Sequence, residues 1–248
     1  VLPASVKSIG FAAFAGCNQL TTIAFPASLD SISGYAFSGS GLTSVELPAS
    51  VKTVGEGAFA RCENLESATV GSENIGKDAF YADAALAALT LNKEVKTIGD
   101  GAFKSCSALT GINIEGTALK SIGDEAFAYT SISALDLSAQ KSLKTVGGWA
   151  LAKTPISTAT LPNSASTMGE GTFFYATQLE TTNLPDSLTT VPAFTFAGAE
   201  ALVGESIVPA TATEMGDFSF YNACAMPNFT IPKSINRIGT KARSEDHT

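Results

Sequence analysis

Apolar residues return along the chain with a long period. Aligned on I-G-x-x-A-F, ten copies place their aromatic position at Phe14, Phe37, Phe59, Phe80, Phe103, Phe127, Leu151, Phe173, Phe196 and Phe220, spaced 21 to 24 residues apart. Alanine precedes that position in seven of the ten, and Thr172, Thr195 or Ser219 in the others. Such a pair suits one side chain that fills a core beside one that lets backbones approach. Between the pairs runs L-x-x-I-x-L-P, as in "LTTIAFP" (20–26), "LTSVELP" (42–48), "LTGINIE" (109–115) and "LETTNLP" (179–185). Its alternation predicts a short strand with one buried face, closed by a proline that has no N–H for a ladder. A second β-rich run, "VKSI", "VKTV", "VKTI" or "LKSI", ends on glycine and predicts a second short strand, followed by a helical turn around A-F.

A unit of this size cannot bury its own apolar face, so neighbours must stack on one another. The predicted fold class is therefore an α/β repeat solenoid, a rod or arc of about ten repeats with a parallel β-sheet, short second strands and short helical turns. Matching strands about 4.8 Å apart give a rod or arc of roughly 50 Å. Residues 1–242 read as a single solenoid and 243–248 as a non-repeat tail, because Arg243 takes the phenylalanine slot and "RSEDHT" has no pattern.

Tandem L-x-x-I-x-L-P-x-S-V-x-x-I-G-x-x-A-F-x-x-C resembles the BspA-like leucine-rich repeats of surface proteins from gut and oral bacteria and some parasitic protists. The resemblance covers residues 1 to about 242. It implies a leucine-rich-repeat arc with the parallel β-sheet on its concave side, on a secreted or surface-anchored bacterial protein that binds host components, and no catalytic residues. Repeat seven departs from the pattern with "VGGWALAK", repeat nine with Val191-Pro192 in place of I-G, and "LVGESIVP" (202–209) with an extra residue, where irregularities are expected. The chain opens mid-period at Leu2-Pro3, and neither end shows a polar cap, so a piece of a longer chain is expected.

Composition narrows the function. The hydrophobic fraction of 45% builds a core, and the net charge of −8 argues against nucleic acid and anionic membrane surfaces. No apolar run reaches the roughly 18 residues of a spanning helix, so no membrane insertion is expected in this segment. The only histidine, His247, lies in the tail, which removes Ser-His and Cys-His nucleophile activation from the repeats. The expectation is that the protein is not an enzyme and needs no cofactor or metal.

Three columns invite chemistry. Cys17, Cys62 and Cys106 sit three residues after the repeat phenylalanine, two periods and about 10 Å apart, too far for a disulfide. Cys224 is remote from them, and small residues fill the same column elsewhere, so the cysteines read as buried free thiols rather than metal ligands. Glu56, Asp100, Asp124, Glu170 and Asp217 follow I-G and read as caps of the helical turn, a calcium row being the alternative. Lys52, Lys96, Lys120 and Lys144, with Lys7, read as a solvated edge with acidic neighbours in the next turn, a polyanion site being the alternative.

The concave sheet remains as the candidate site. Its outward columns are almost wholly small and polar, and the ligand-binding candidates are Thr69, Thr90, Asn113, Asp136, Thr160 and Asn183. They include none of the tryptophan, tyrosine or arginine anchors of tight interfaces. Phe11, Tyr35, Tyr81, Tyr129, Trp149, Tyr175 and Tyr221 fall around the A-F turn, with their exposure open. The reading is a monomeric, adhesin-like module, extracellular or at the bacterial cell surface, for a protein or glycan ligand such as host extracellular matrix. Its alternative is a spacer that presents another domain.

Overall fold

A computed structural model describes residues 2–116, 118–204, 207–226 and 228–244. The chain winds into a β-solenoid of about ten coils. The second β-rich runs become strands of two residues. Eight of them, from Ser8–Ile9 to Thr167–Met168, form one parallel sheet, and Thr190–Val191, Glu214–Met215 and Arg237–Ile238 form another. The L-x-x-I-x-L runs supply a four-stranded sheet (Ser44–Glu46, Ser67–Val70, Ala88–Leu91, Ile112–Ile114) and a three-stranded one (Ala134–Asp136, Thr158–Thr160, Thr181–Thr182). Each strand pairs in parallel with its counterpart in the adjacent coil, as Val45 with Ala68 and Ala68 with Leu89. Ser44 and Glu46 are exposed around buried Val45, the alternation expected of a strand with one face in the core.

Both interruptions have local causes. In every other coil with a predecessor, the residue after the second strand sends its N–H back one coil, as Gly169 to Val146 O and Gly216 to Val191 O, each 2.8 Å. Pro192 stands at that position with no N–H to give, and the sheet breaks between Met168 and Val191. On the other face, Ile112–Ile114 lies between Gly111 and Gly116, and Gly116 turns to a φ of 79°. That strand starts one residue late, Gly111 standing where Ala88 opens the preceding strand, and does not pair with Ala134–Asp136. The run at 20–26 forms no strand. The irregularity expected at 202–209 shows no strand at its described residues, and 205 and 206 lie outside them.

The A-F segment corrects the α/β expectation, since it is a run of turns and no helix occurs among the described residues. In the second coil, the N–H groups of Tyr35, Phe37 and Gly39 donate to Glu56, Ala58 and Ala60 of the next coil at 2.8, 2.7 and 2.9 Å. Those of Ala36, Ser38 and Ser40 instead donate three residues back, to Ser33, Tyr35 and Phe37. A helix needs every N–H to run along its own axis. Here alternate N–H groups leave for the neighbour, made possible by left-handed backbone at Tyr35 (φ 55°) and Gly39 (φ 65°). The same two positions are left-handed in nearly every coil, often without glycine, as at Trp149, Lys153 and Tyr175. Each such residue costs about 1–2 kcal/mol of local strain, which the bonds and packing between coils offset.

The core is a column of rings. Phe37, Phe59, Phe80, Phe103 and Phe127 are fully or almost fully buried and stack nearly parallel, with centroids 5.1 to 5.5 Å apart. Beside each ring lies an alanine with no exposed surface. The glycine of I-G is required by this close approach and not by its φ. A Cβ on Gly99 would stand 2.7 Å from the backbone of Gly76 and Lys77.

Candidate functional site

The long-strand sheets bring some of the candidate residues together and divide them into two groups. Thr69 is the register partner of Thr90, and Thr90 of Asn113. Asp136 is the partner of Thr160 in the other sheet, beyond the break. Asn113, Asp136 and Thr160 are exposed, while Thr69, Thr90 and Asn183 are half-buried.

Two of the six are already engaged by the protein. The Asn183 amide accepts from Leu161 N–H (2.8 Å) and donates to Leu161 O (2.9 Å), so its side chain acts as a ladder rung. Asp136 accepts the Ser138 N–H at 2.8 Å, which holds its carboxyl below the usual range. Shallow cavities lie on this face. One of about 390 Å³ is lined by Ala24, Ser44 and Glu46 among others, and one of about 210 Å³ by Thr160, Thr181 and Asn183. The first is lined by none of the six candidates.

The cysteine column divides by position in the array. Cys62 and Cys106 are buried, and their thiols donate to Phe37 O and Phe80 O at 3.2 and 3.1 Å. Cys17 and Cys224 are exposed, which corrects the expectation of four buried thiols. Between the two buried thiols sits Asp83, whose Oδ1 accepts the Cys62 N–H at 2.8 Å while Oδ2 is buried without a partner. Burial raises the Asp83 carboxyl well above the usual carboxylate range and lifts the Cys62 thiol to about 12. Both shifts favour the protonated form, in which neither group is a good nucleophile. Among the described residues no His, Cys, Asp and Glu side chains gather to hold a metal ion, and His247 lies outside those residues.

The charged columns also act between coils. Asp100, Asp124 and Asp217 accept backbone N–H groups of the following coil, from Asp124 (2.9 Å), Gly148 (2.6 Å) and Thr240 (2.7 Å). They tie coil to coil and cap no helix. In the lysine column the partners are acidic residues of the same column one coil back: Lys52 meets Asp30 at 3.7 Å and Lys96 meets Glu73 at 2.5 Å. The Lys96 hydrogen bond holds the Glu73 carboxyl below its usual value. Water screens exposed pairs of this kind, so they contribute little to stability.

Aromatic side chains gather on the outer turns. Phe11, Tyr35, Tyr129 and Tyr175 are exposed, and Trp149, Phe174, Phe194 and Phe218 are half-buried against one another. Among the described residues no helix is long and apolar enough to cross a membrane.

Comparison with known proteins follows the repeat. The sequence profile of the BspA type leucine rich repeat region matches residues 1–110, 73–203 and 172–246, in six copies. The crystal structure of a leucine-rich repeat protein from Bacteroides ovatus ATCC 8483 superposes with a TM-score of 0.74 at 25% identity, covering 96% of this chain and 67% of that one. The Treponema pallidum leucine rich repeat protein superposes with a TM-score of 0.53 at 23% identity, covering 85% and 89%, a likeness of fold. No match is found among curated proteins.

Proposed function

Because the chain belongs to the BspA-type leucine-rich repeat family, we propose that it is a non-catalytic, adhesin-like module, secreted or displayed on a bacterial surface, that binds a host protein or glycan. Long parallel sheets, in register from coil to coil and faced with small polar side chains, carry this reading. Thr69, Thr90, Asn113, Asp136 and Thr160 offer hydroxyl, amide and carboxylate groups to an extended ligand. Asn183 serves the sheet itself. A ligand on this face meets no aromatic anchor, so affinity there rests on many weak contacts. The protein acts as a monomer and uses no nucleic acid, membrane or cofactor.

One observation favours a second reading, a spacer that presents another domain. The amide of Asn183 is committed to the backbone of Leu161, and one carboxylate oxygen of Asp136 to the Ser138 N–H. A panel of matrix proteins and host glycans separates the two, probed with the chain and with Thr90→Arg/Thr160→Arg. Binding that the double variant loses supports a ligand on the long-strand face. Binding by both moves the ligand elsewhere on the array, and silence from both supports the spacer.

A further inference from the structure

We propose that Tyr175 and Lys153, on the outer turns of the seventh and eighth coils, form a subsite for an acidic saccharide unit. The inference rests on the glycan-binding reading above and gives it a place and a ligand chemistry.

The argument starts from how rings sit on this edge. Tyr175 takes a left-handed backbone (φ 51°), and its ring leans over the next coil onto Gly198, where a Cβ would stand 3.1 to 3.2 Å from three ring atoms. One face of the ring is thus seated on backbone, yet the residue stays 47% exposed. Phe174 packs edge-on at 4.6 Å and steadies it. Two other rings are seated the same way, Tyr35 on Gly57 and Trp149 on Gly171. Their surroundings differ. The Tyr35 hydroxyl donates to Glu56 and its ring meets Phe11, whereas Trp149 is hemmed in by Phe174 and Phe194. Tyr175 borders an open cavity of about 350 Å³.

Lys153 forms another wall of that cavity. Its Nζ lies 5.2 Å from the Tyr129 ring centre, and among the described residues it forms no ion pair. Thr177 and Gln178 line the same space and are exposed, while the Thr154 hydroxyl donates to Leu151 O. A flat seated ring fits the C–H face of a pyranose, the hydroxyl and amide fit its O–H groups, and an unpaired ammonium fits a carboxylate or sulfate. An acidic peptide would satisfy Lys153 but would leave the seated ring face without a flat partner.

The test titrates the whole chain with glucuronic-acid- and sialic-acid-terminated oligosaccharides, their glucose- and galactose-terminated counterparts and a tetraglutamate peptide, read by saturation-transfer NMR and calorimetry. Acidic sugars are expected to bind ahead of neutral ones. Tyr175→Ala should weaken them about tenfold. Lys153→Gln should erase the preference for acid while retaining neutral-sugar binding, and unchanged melting temperatures show that both variants fold. Equal affinity of Tyr175→Ala and the parent, tetraglutamate binding in place of sugar, or no saturable sugar binding at about 10 mM overturns the subsite. If matrix proteins still bind in those cases, the subsite fails alone; if nothing binds, the binding reading fails with it.

Discussion

Coils two to six and coils seven to ten are built on one pattern and held together differently. In the first group five rings stack from Phe37 to Phe127 without a gap, and the two-residue sheet is unbroken. In the second, Leu151 interrupts the column, Phe173 and Phe196 resume it, and Pro192 breaks the sheet. The aromatic mass has moved outward. Trp149 meets Phe174 at 4.7 Å and Phe194 at 6.0 Å, and Phe194 stacks on Phe218 at 5.1 Å, so this outer cluster spans the broken sheet. A solenoid is stabilised by contacts between nearest neighbours, so a lost ring or rung can be offset by apolar contact elsewhere on the same coil boundary.

Substitutions can break this comparison in order of size. Phe80→Ala removes a ring from the middle of the stack and is expected to cost about 3–5 kcal/mol, measured by urea unfolding. Trp149→Ala is expected to cost about 2–3 kcal/mol, and native-state hydrogen exchange should show faster exchange in coils seven to ten while coils two to six keep their protection. Uniform loss along the chain would contradict the separate role given to the outer cluster. Gly99→Ala drives a Cβ into the Gly76 backbone and is expected to cost about 1–3 kcal/mol, the signature of close approach.

Asp83→Asn works in the other direction. With its carboxyl raised by burial, Asp83 favours folding in its neutral form. That contribution is complete below the ordinary carboxylate value of about 4 and is lost as pH rises through the folded-state value. The variant should therefore match the parent near pH 4 and melt higher at pH 7, by about 2–4 °C per kcal/mol recovered. An equal gap at both pH values would contradict a raised Asp83 carboxyl. The smallest effect belongs to Pro192→Gly. It restores an N–H toward Met168 and is worth about 0.5–1.5 kcal/mol less the entropy of a freer unfolded chain, so melting should barely change. Slow exchange of the new amide at 192 is the sensitive readout.

The period, the phenylalanine column, the strand positions and the glycine of I-G were legible in the sequence because each is a property of one coil repeated. What the sequence did not show lies between coils. The turn around A-F has the composition of a helical turn, but alternate N–H groups leave it for the next coil, and no single repeat encodes that division. Asp100 and Asp124 likewise look like caps until the next coil supplies the N–H. Asn183 carries a candidate ligand's chemistry and spends it on Leu161. Two signals were present and unread. Asp30 and Glu73 alternate with Lys7, Lys52 and Lys96 in one column. Tyr35, Trp149 and Tyr175 are each followed one coil later by a glycine at the matching turn position, the mark of a ring seated on its neighbour.

The most direct test of the binding-module account is the purified chain on a surface array of extracellular-matrix proteins and host glycans, read for saturable, concentration-dependent capture. The account predicts capture on at least one host protein or glycan, at an affinity set by several weak contacts. Silence across the whole array, with the chain folded by circular dichroism, would contradict it and leave the spacer in its place.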